Sequence, residues 1–122
     1  GQTALAFAAE SGHEEVVRLL LQVDGIETNT NDDEGYTPLM LASGKGNKRI
    51  VRMLLDHPGI DINAQNVHGR NALMVASSEG HKRVVETLLQ SDGIDIHARD
   101  NNGYSTLTLA SDFGHPTIER VL

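Results

Sequence analysis

Residues 35–55 read GYTPLMLASGKGNKRIVRMLL, and the pattern of this stretch recurs along the whole chain. Glycine returns every 34 residues in two series, Gly1, Gly35, Gly69 and Gly103, and Gly12, Gly46, Gly80 and Gly114. Leucine keeps the same spacing in the series Leu5, Leu39, Leu73 and Leu107. Because no insertion interrupts the register, the chain is a tandem array of one 34-residue unit.

Each unit carries the end signals of a pair of short helices. One repeat position always holds a residue that caps helix N-termini, namely Thr3, Thr37, Asn71 and Ser105. An apolar helix is predicted from there to about residues 11, 45, 79 and 113, where glycine ends it. A second helix is predicted about two residues later, since Ile50, Val51, Leu54 and Leu55 form one helical face. Such short helices are unstable alone, so stacking of neighbouring units must stabilise them.

The segments that join the helix pairs, residues 22–36, 56–70 and 90–104, are termed the connections. They are rich in Gly, Asp and Asn, which favour turns, and we expect them to be extended hairpin loops. They contain ten acidic and two basic residues. Turn chemistry accounts for part of this charge, but the cluster of Asp32, Asp33 and Glu34 is expected to exceed what the repeat requires.

The quoted stretch resembles the ankyrin repeat, as does GIDINAQ at residues 59–65. The resemblance covers one domain, residues 1–122, with repeats at about 1–34, 35–68, 69–102 and 103–122. It implies an all-α fold, an ankyrin-repeat solenoid of stacked helix-turn-helix pairs joined by β-hairpin loops. Tetratricopeptide units share the period, but the glycine-bearing hairpins favour the ankyrin family. The His of the family's T-P-L-H motif is replaced here by Ala6, Met40, Met74 and Thr108.

The two ends of the sequence both fall inside a repeat. The first residue is the turn glycine, and Leu122 is in register with Leu20, Leu54 and Leu88 of the earlier second helices. Solenoids normally carry polar end caps, and none is recognisable in the sequence. We therefore interpret the chain as a piece of a longer array.

Composition and charge exclude several classes of partner. The chain contains ten Lys and Arg and seventeen Asp and Glu. The resulting net charge of −7 disfavours binding to nucleic acids and to anionic membranes. The absence of Cys excludes disulfides, thiolate metal sites and Cys nucleophiles. We expect no nucleic-acid, membrane or small-molecule partner, and an intracellular protein that is cytoplasmic, nuclear or both.

The residues of possible metal or catalytic sites have structural explanations. His13, His81 and His115 share one repeat position, and layers about 8–10 Å apart keep them from sharing a zinc ion. The resemblance gives them a structural role in the family's Gly-His turn. Ser111, Asp112 and His115 have the residue types of a hydrolytic triad, but a helix-ending turn supplies no oxyanion hole. We therefore expect no enzymatic activity, no metal and no cofactor.

The resemblance implies that partners contact the hairpin tips and the exposed ends of the first helices. Three of the four aromatic residues lie at such positions, where we expect exposed side chains, whereas Phe7 holds a core position. Tyr and Arg are enriched at binding hot spots. The predicted partner-binding residues are Tyr36, Arg70, Tyr104, Phe113, Lys45, Glu79, Asp33, Glu34 and His68. They predict a non-catalytic protein-binding scaffold whose partner presents a basic surface, with Phe113 facing the same groove as the tyrosines.

Two alternatives to a stand-alone scaffold fit the same sequence. One is a targeting or regulatory segment of a larger enzyme, and the other is a structural element that self-associates end to end through uncapped faces. Asn63 matches the position that asparaginyl hydroxylases modify in ankyrin repeats. The favoured interpretation of Asn63 is a loop asparagine that bonds its own turn.

Overall fold

The computed structural model describes residues 2–122 and contains eight α-helices in that range. They are α1 (Ala4–Ser11), α2 (Glu14–Leu21), α3 (Pro38–Lys45), α4 (Lys48–Leu55), α5 (Ala72–Glu79), α6 (Lys82–Leu89), α7 (Thr106–Asp112) and α8 (Pro116–Val121). The odd-numbered helices begin 34 residues apart, as do the even-numbered ones. The predicted succession of short helix pairs is confirmed.

The first helix of each pair begins at the predicted cap. A side-chain oxygen of the cap residue accepts a hydrogen bond from the amide three residues later, at 2.9–3.3 Å, in Thr3, Thr37, Asn71 and Ser105. Gly46 ends α3 with a φ of 74°, in the left-handed region where a side chain is strained. These local signals fix where each helix starts and stops.

The helices form two layers around one continuous core. The inner helices α1, α3, α5 and α7 pack side by side, and the outer helices α2, α4, α6 and α8 pack behind them. Leu54, Leu73 and Leu88 are fully buried between the two layers. The extensive helix contacts join helices of the same repeat or of adjacent repeats, which is the arrangement of a solenoid.

The connections follow a hairpin course, but they form no regular strand within residues 2–122. The only pairing of strand type is an isolated antiparallel bridge between Arg99 and Ser105 in this described part. The second connection is closed by a hydrogen bond from the Asn66 amide to the Arg70 carbonyl at 2.9 Å. The predicted β-hairpins are therefore tight turns, because side chains and neighbouring connections occupy the backbone groups that a strand would pair.

A side chain at the start of each turn holds that turn closed. Oδ1 of Asp32 accepts hydrogen bonds from the amides of Glu34 and Tyr36, both at 2.9 Å. Asn66 and Asp100 do the same at the equivalent positions. The expectation that Asp32 exceeds what the repeat requires was wrong, because its carboxylate is part of the turn.

Asparagine side chains bond each connection to the next one. Asn63 accepts a hydrogen bond from the Asp95 amide at 2.9 Å and donates one to the Gly93 carbonyl at 2.7 Å. Asn29 makes the same pair of bonds to the second connection. Asn63 therefore bridges two connections, whereas the sequence suggested that it would bond its own turn.

The first layer exposes a side chain whose equivalents are buried. Phe7 is 55% exposed, although Leu41, Val75 and Leu109 at the same repeat position are at most 9% exposed. The assignment of Phe7 to the core was wrong. This position packs on the preceding layer, as Val75 does on Gly44, and the described residues include no layer before Phe7.

Candidate partner-binding site

A groove of about 210 Å³ crosses the inner helices α1, α3 and α5. Its lining residues are Glu10, Tyr36, Met40, Leu41, Gly44, Lys45, Val75 and Glu79, and we call it the Tyr36 groove. Met40, Leu41 and Val75 form an apolar floor that is almost closed to water. Tyr36 was predicted as an exposed tip residue, but it is half-buried because its side chain packs against the core.

Charged side chains surround this apolar floor. Glu10, at the end of α1, accepts a hydrogen bond from the Gln2 side chain at 2.9 Å. Lys45 ends α3 and Glu79 ends α5, and both are exposed. Neither side chain makes a hydrogen bond or ion pair with any other residue in the range 2–122. A partner could therefore engage Lys45 and Glu79 without first breaking an internal bond.

Arg70 is held by a neighbouring connection. Its Nε lies 3.2 Å from Oδ2 of Asp100, whose side chain is only 1% exposed. Burial raises the pKa of Asp100, but the amides of Tyr104 and Asn102 and the Arg70 guanidinium outweigh it and lower the pKa below its ordinary value. The arginine predicted to contact a partner thus joins the second and third connections.

Of the predicted residues, Tyr36, Lys45 and Glu79 come together in the Tyr36 groove. Tyr104 and Phe113 are both well exposed, but neither lines this groove. Tyr104 and Phe113 therefore lie on the surface outside the Tyr36 groove, and the continuous strip from Tyr36 to Phe113 stays a prediction.

The remaining predicted residues lie on the connections. Asp33 and Glu34 are exposed and line a shallow depression with Gln2 and Asp32. His68 is exposed, and its carbonyl accepts a hydrogen bond from the Asn101 amide at 2.9 Å. Asp33, Glu34 and His68 therefore lie on the exposed surface of the connections, outside the Tyr36 groove.

A family model described as ankyrin repeats in three copies matches residues 1–66 and 65–122. The chain belongs to the ankyrin-repeat family. The predicted resemblance is thereby confirmed over the whole sequence. Ankyrin repeats are generally modules of protein–protein interaction, and the family is typically non-catalytic. No curated protein matches the chain.

In this ankyrin-repeat chain, two histidines bond successive inner helices together. Nε2 of His81 lies 2.8 Å from the carbonyl oxygen of Gly44, and Nε2 of His115 lies 3.0 Å from that of Ser78. Each imidazole can donate its Nε2 proton to the preceding repeat, which is a structural role.

Helices of bilayer-spanning length and apolarity are absent from the described part of the chain.

The apolar groove floor is the part of the candidate site that the sequence did not predict. Its signal was the departure from the T-P-L-H motif, because Met40 supplies an apolar side chain where the family has a histidine. A second signal was Gly44, which has no side chain at the exposed end of an inner helix. Neither Met40 nor Gly44 indicates from the sequence which side chains of the next repeat pack beside it.

Proposed function

We propose that this chain is a non-catalytic scaffold that binds a segment of a partner protein along the Tyr36 groove. The observation that carries the proposal is the apolar floor of Met40, Leu41 and Val75 beside Lys45 and Glu79, whose side chains have no bonding partner in residues 2–122. Protein interfaces have this anatomy of an apolar centre with a polar rim. The membership of a family of interaction modules supports the same function.

The partner in this proposal presents a basic surface. The connections hold ten acidic and two basic residues, and the whole chain has a net charge of −7. Complementary charge of this kind steers a partner towards its site and disfavours partners of like charge. The proposal also keeps the expected intracellular location, cytoplasmic or nuclear.

The predicted residues divide into three roles under this proposal. Tyr36, Lys45 and Glu79 contact the bound segment directly. A partner that extends beyond the groove contacts the residues on the surrounding surface, which are Tyr104, Phe113, Asp33, Glu34 and His68. Arg70 positions the connections through its ion pair with Asp100.

Selection and mutagenesis together test this function. Peptides are selected from a displayed library of random sequences on the immobilised chain, and their Kd values are measured by calorimetry. Glu79→Lys should weaken binding at least about fivefold, which corresponds to ~1 kcal/mol. The matched control is Glu86→Lys, a charge reversal at another exposed glutamate, on the outer helix α6, which should leave Kd unchanged. Equal effects of the two variants, or no effect of Glu79→Lys, would contradict the proposal.

A second candidate function is self-association of the stack. The two end layers expose apolar side chains at positions that are buried in the middle repeats, Phe7 and Val16 at one end and Leu107 and Leu122 at the other. A second copy stacked head to tail would cover them, and such a contact would leave both ends open for further copies.

Sedimentation velocity over a range of concentrations tests this second function. Self-association predicts a sedimentation coefficient that rises with concentration and returns to the monomer value in Phe7→Glu. The control is Val67→Glu, an exposed apolar residue on the second connection, which should change nothing. A monomer at every concentration would exclude self-association.

A further inference from the structure

Gly44 is the one residue without a side chain at its repeat position. The other repeats carry Glu10, Ser78 and Asp112 there. Gly44 lies within α3, where glycine is among the least favoured residues. Its φ is not in the left-handed region, so the backbone does not require glycine at this point.

Packing does not strictly require the glycine either. A Cβ at position 44 would lie 3.1 Å from Cγ1 of Val75, a tight contact with one side chain and not with backbone. A small shift of Val75 would relieve that contact. Because Gly44 has no side chain, Val75 packs directly against it, and the part of the Tyr36 groove above these two residues stays open. We call this part of the groove the notch.

The chemistry around this notch is apolar. Tyr36, Met40, Leu41 and Val75 line the groove beside it. The carbonyl oxygen of Gly44 already accepts a hydrogen bond from the His81 imidazole at 2.8 Å. A polar ligand group placed there would lose its bonds to water without gaining equivalent ones, whereas an apolar group would gain burial.

Carboxylates stand one layer away on either side of the notch. Glu10 holds the position equivalent to Gly44 in the preceding repeat, and Glu79 lies on α5 in the following one. Adjacent layers are about 8–10 Å apart, so an extended segment of about 3.3 Å per residue crosses one layer in about three residues. The carboxylates thus face positions about three residues before and after a residue seated at Gly44.

We propose that the notch at Gly44 receives one large apolar side chain from a bound protein segment that carries Lys or Arg on both sides of it. This inference rests on the proposed function and adds the chemistry of the segment. Charge complementarity to Glu10 and Glu79 sets the basic flanks, and the apolar notch sets the central residue. Lys45 disfavours a basic residue next to the central one, which places the basic residues further along the segment.

Peptides selected from the random displayed library on the wild-type chain are the probe for this inference. The expected consensus is one Leu, Ile, Met or Phe with basic residues about three positions away on each side. Gly44→Leu fills the notch and should weaken these peptides at least about tenfold. The matched control is Asp112→Leu, which adds the same side chain at the same repeat position outside the groove and should leave Kd within about twofold.

A smaller substitution separates binding from folding. Gly44→Ala adds one methyl group, whose helix preference stabilises the fold and whose contact with Val75 at 3.1 Å opposes that gain. The thermal midpoint of unfolding should therefore stay close to that of the wild type, while the peptides should bind more weakly. Replacing the central apolar residue of the peptide by Ala should weaken binding to the wild type but not weaken binding to Gly44→Leu any further.

The outcomes distinguish the inference from the function on which it rests. Unchanged Kd values in Gly44→Leu, or a consensus without a central apolar residue, would overturn the inference. If Glu79→Lys still weakens those peptides, the Tyr36 groove remains the binding site and only the role of the notch is lost. If neither variant affects binding, both the inference and the proposed function fail.

Discussion

Asp100 shows how one side chain serves two neighbouring repeats. Its Oδ1 accepts hydrogen bonds from the amides of Asn102 and Tyr104, while its Oδ2 forms an ion pair with Arg70. Asn66 closes the preceding turn equally well with an amide oxygen, and its Nδ2 has no bonding partner in residues 2–122. The turn therefore needs only an Asp or Asn oxygen, whereas the bond to Arg70 needs the second carboxylate oxygen.

The variant Asp100→Asn should separate the turn from the ion pair. Because folding lowers the pKa of Asp100, the carboxylate stabilises the fold above its unfolded pKa and loses this effect as pH falls through the folded pKa. We expect the variant to lose about 1–2 kcal/mol of unfolding free energy at pH 7. The difference from wild type should shrink as pH falls below about 4. Urea denaturation at a series of pH values measures both effects.

Asp112→Asn is the control for this experiment. Its carboxylate is exposed and makes no side-chain bond within the described residues, so the change in unfolding free energy should stay below about 0.5 kcal/mol. A loss in Asp100→Asn that is the same at every pH would mean that the charge of Asp100 contributes nothing.

At the scale of helices and turns, the histidine between α5 and α6 links its repeat to the preceding one by a hydrogen bond. His81 bonds the Gly44 carbonyl at the end of α3, and its ring lies directly beside Gly46. His13 holds the same position in the first repeat, where its ring instead contacts Phe7 at a centroid distance of 6.3 Å. The same residue type thus has different surroundings in two repeats.

Truncation of these two histidines should therefore have unequal effects. His81→Ala removes an inter-repeat hydrogen bond and should cost about 1 kcal/mol of unfolding free energy. His13→Ala removes an exposed side chain and should cost less than about 0.5 kcal/mol. Urea denaturation of both variants gives the comparison, and equal losses would show that the bond to Gly44 is not stabilising.

The helices were predictable from sequence because their signals are local. Thr37 caps α3 and Gly46 ends it, and both act within a few residues of themselves. The role of Arg70 was not predictable, since its partner Asp100 is 30 residues away. The floor of the Tyr36 groove was missed for the same reason, because Val75 reaches Gly44 only after two repeats have stacked.

Over the whole molecule, the position of a repeat in the stack decides how well its side chains are covered. Leu54 is fully buried, while Leu122 at the same repeat position is 38% exposed. Each middle layer packs against a neighbour on both sides, since α3 contacts both α1 and α5. The free energy of unfolding of such an array is approximately the sum of the stabilities of the individual layers and of the interaction energies between adjacent layers.

Leu54→Ala and Leu122→Ala compare these two surroundings directly. The first should cost about 2–5 kcal/mol of unfolding free energy, as buried leucine truncations do. The second should cost less than about 1 kcal/mol, because water already reaches the side chain. Urea denaturation measures both, and a loss under about 0.5 kcal/mol in Leu54→Ala would contradict the core assignment.

The net charge of −7 should govern how fast a basic partner associates. We expect the association rate constant of a basic peptide bound in the Tyr36 groove to fall as ionic strength rises from about 0.01 M to about 0.15 M. The dissociation rate constant should change much less. Stopped-flow fluorescence with a labelled peptide separates the two constants, and an association rate independent of salt would contradict electrostatic steering.

A stack in which each layer contacts chiefly its neighbours should also respond to a pulling force layer by layer. Pulled by its two ends, it carries the load in series, and the layers give way one at a time. Each released unit of 34 residues adds up to about 110 Å of slack chain. Because three successive inner helices line the Tyr36 groove, the release of any one of these layers would open the groove. Affinity for a partner would then depend on the force applied to the chain.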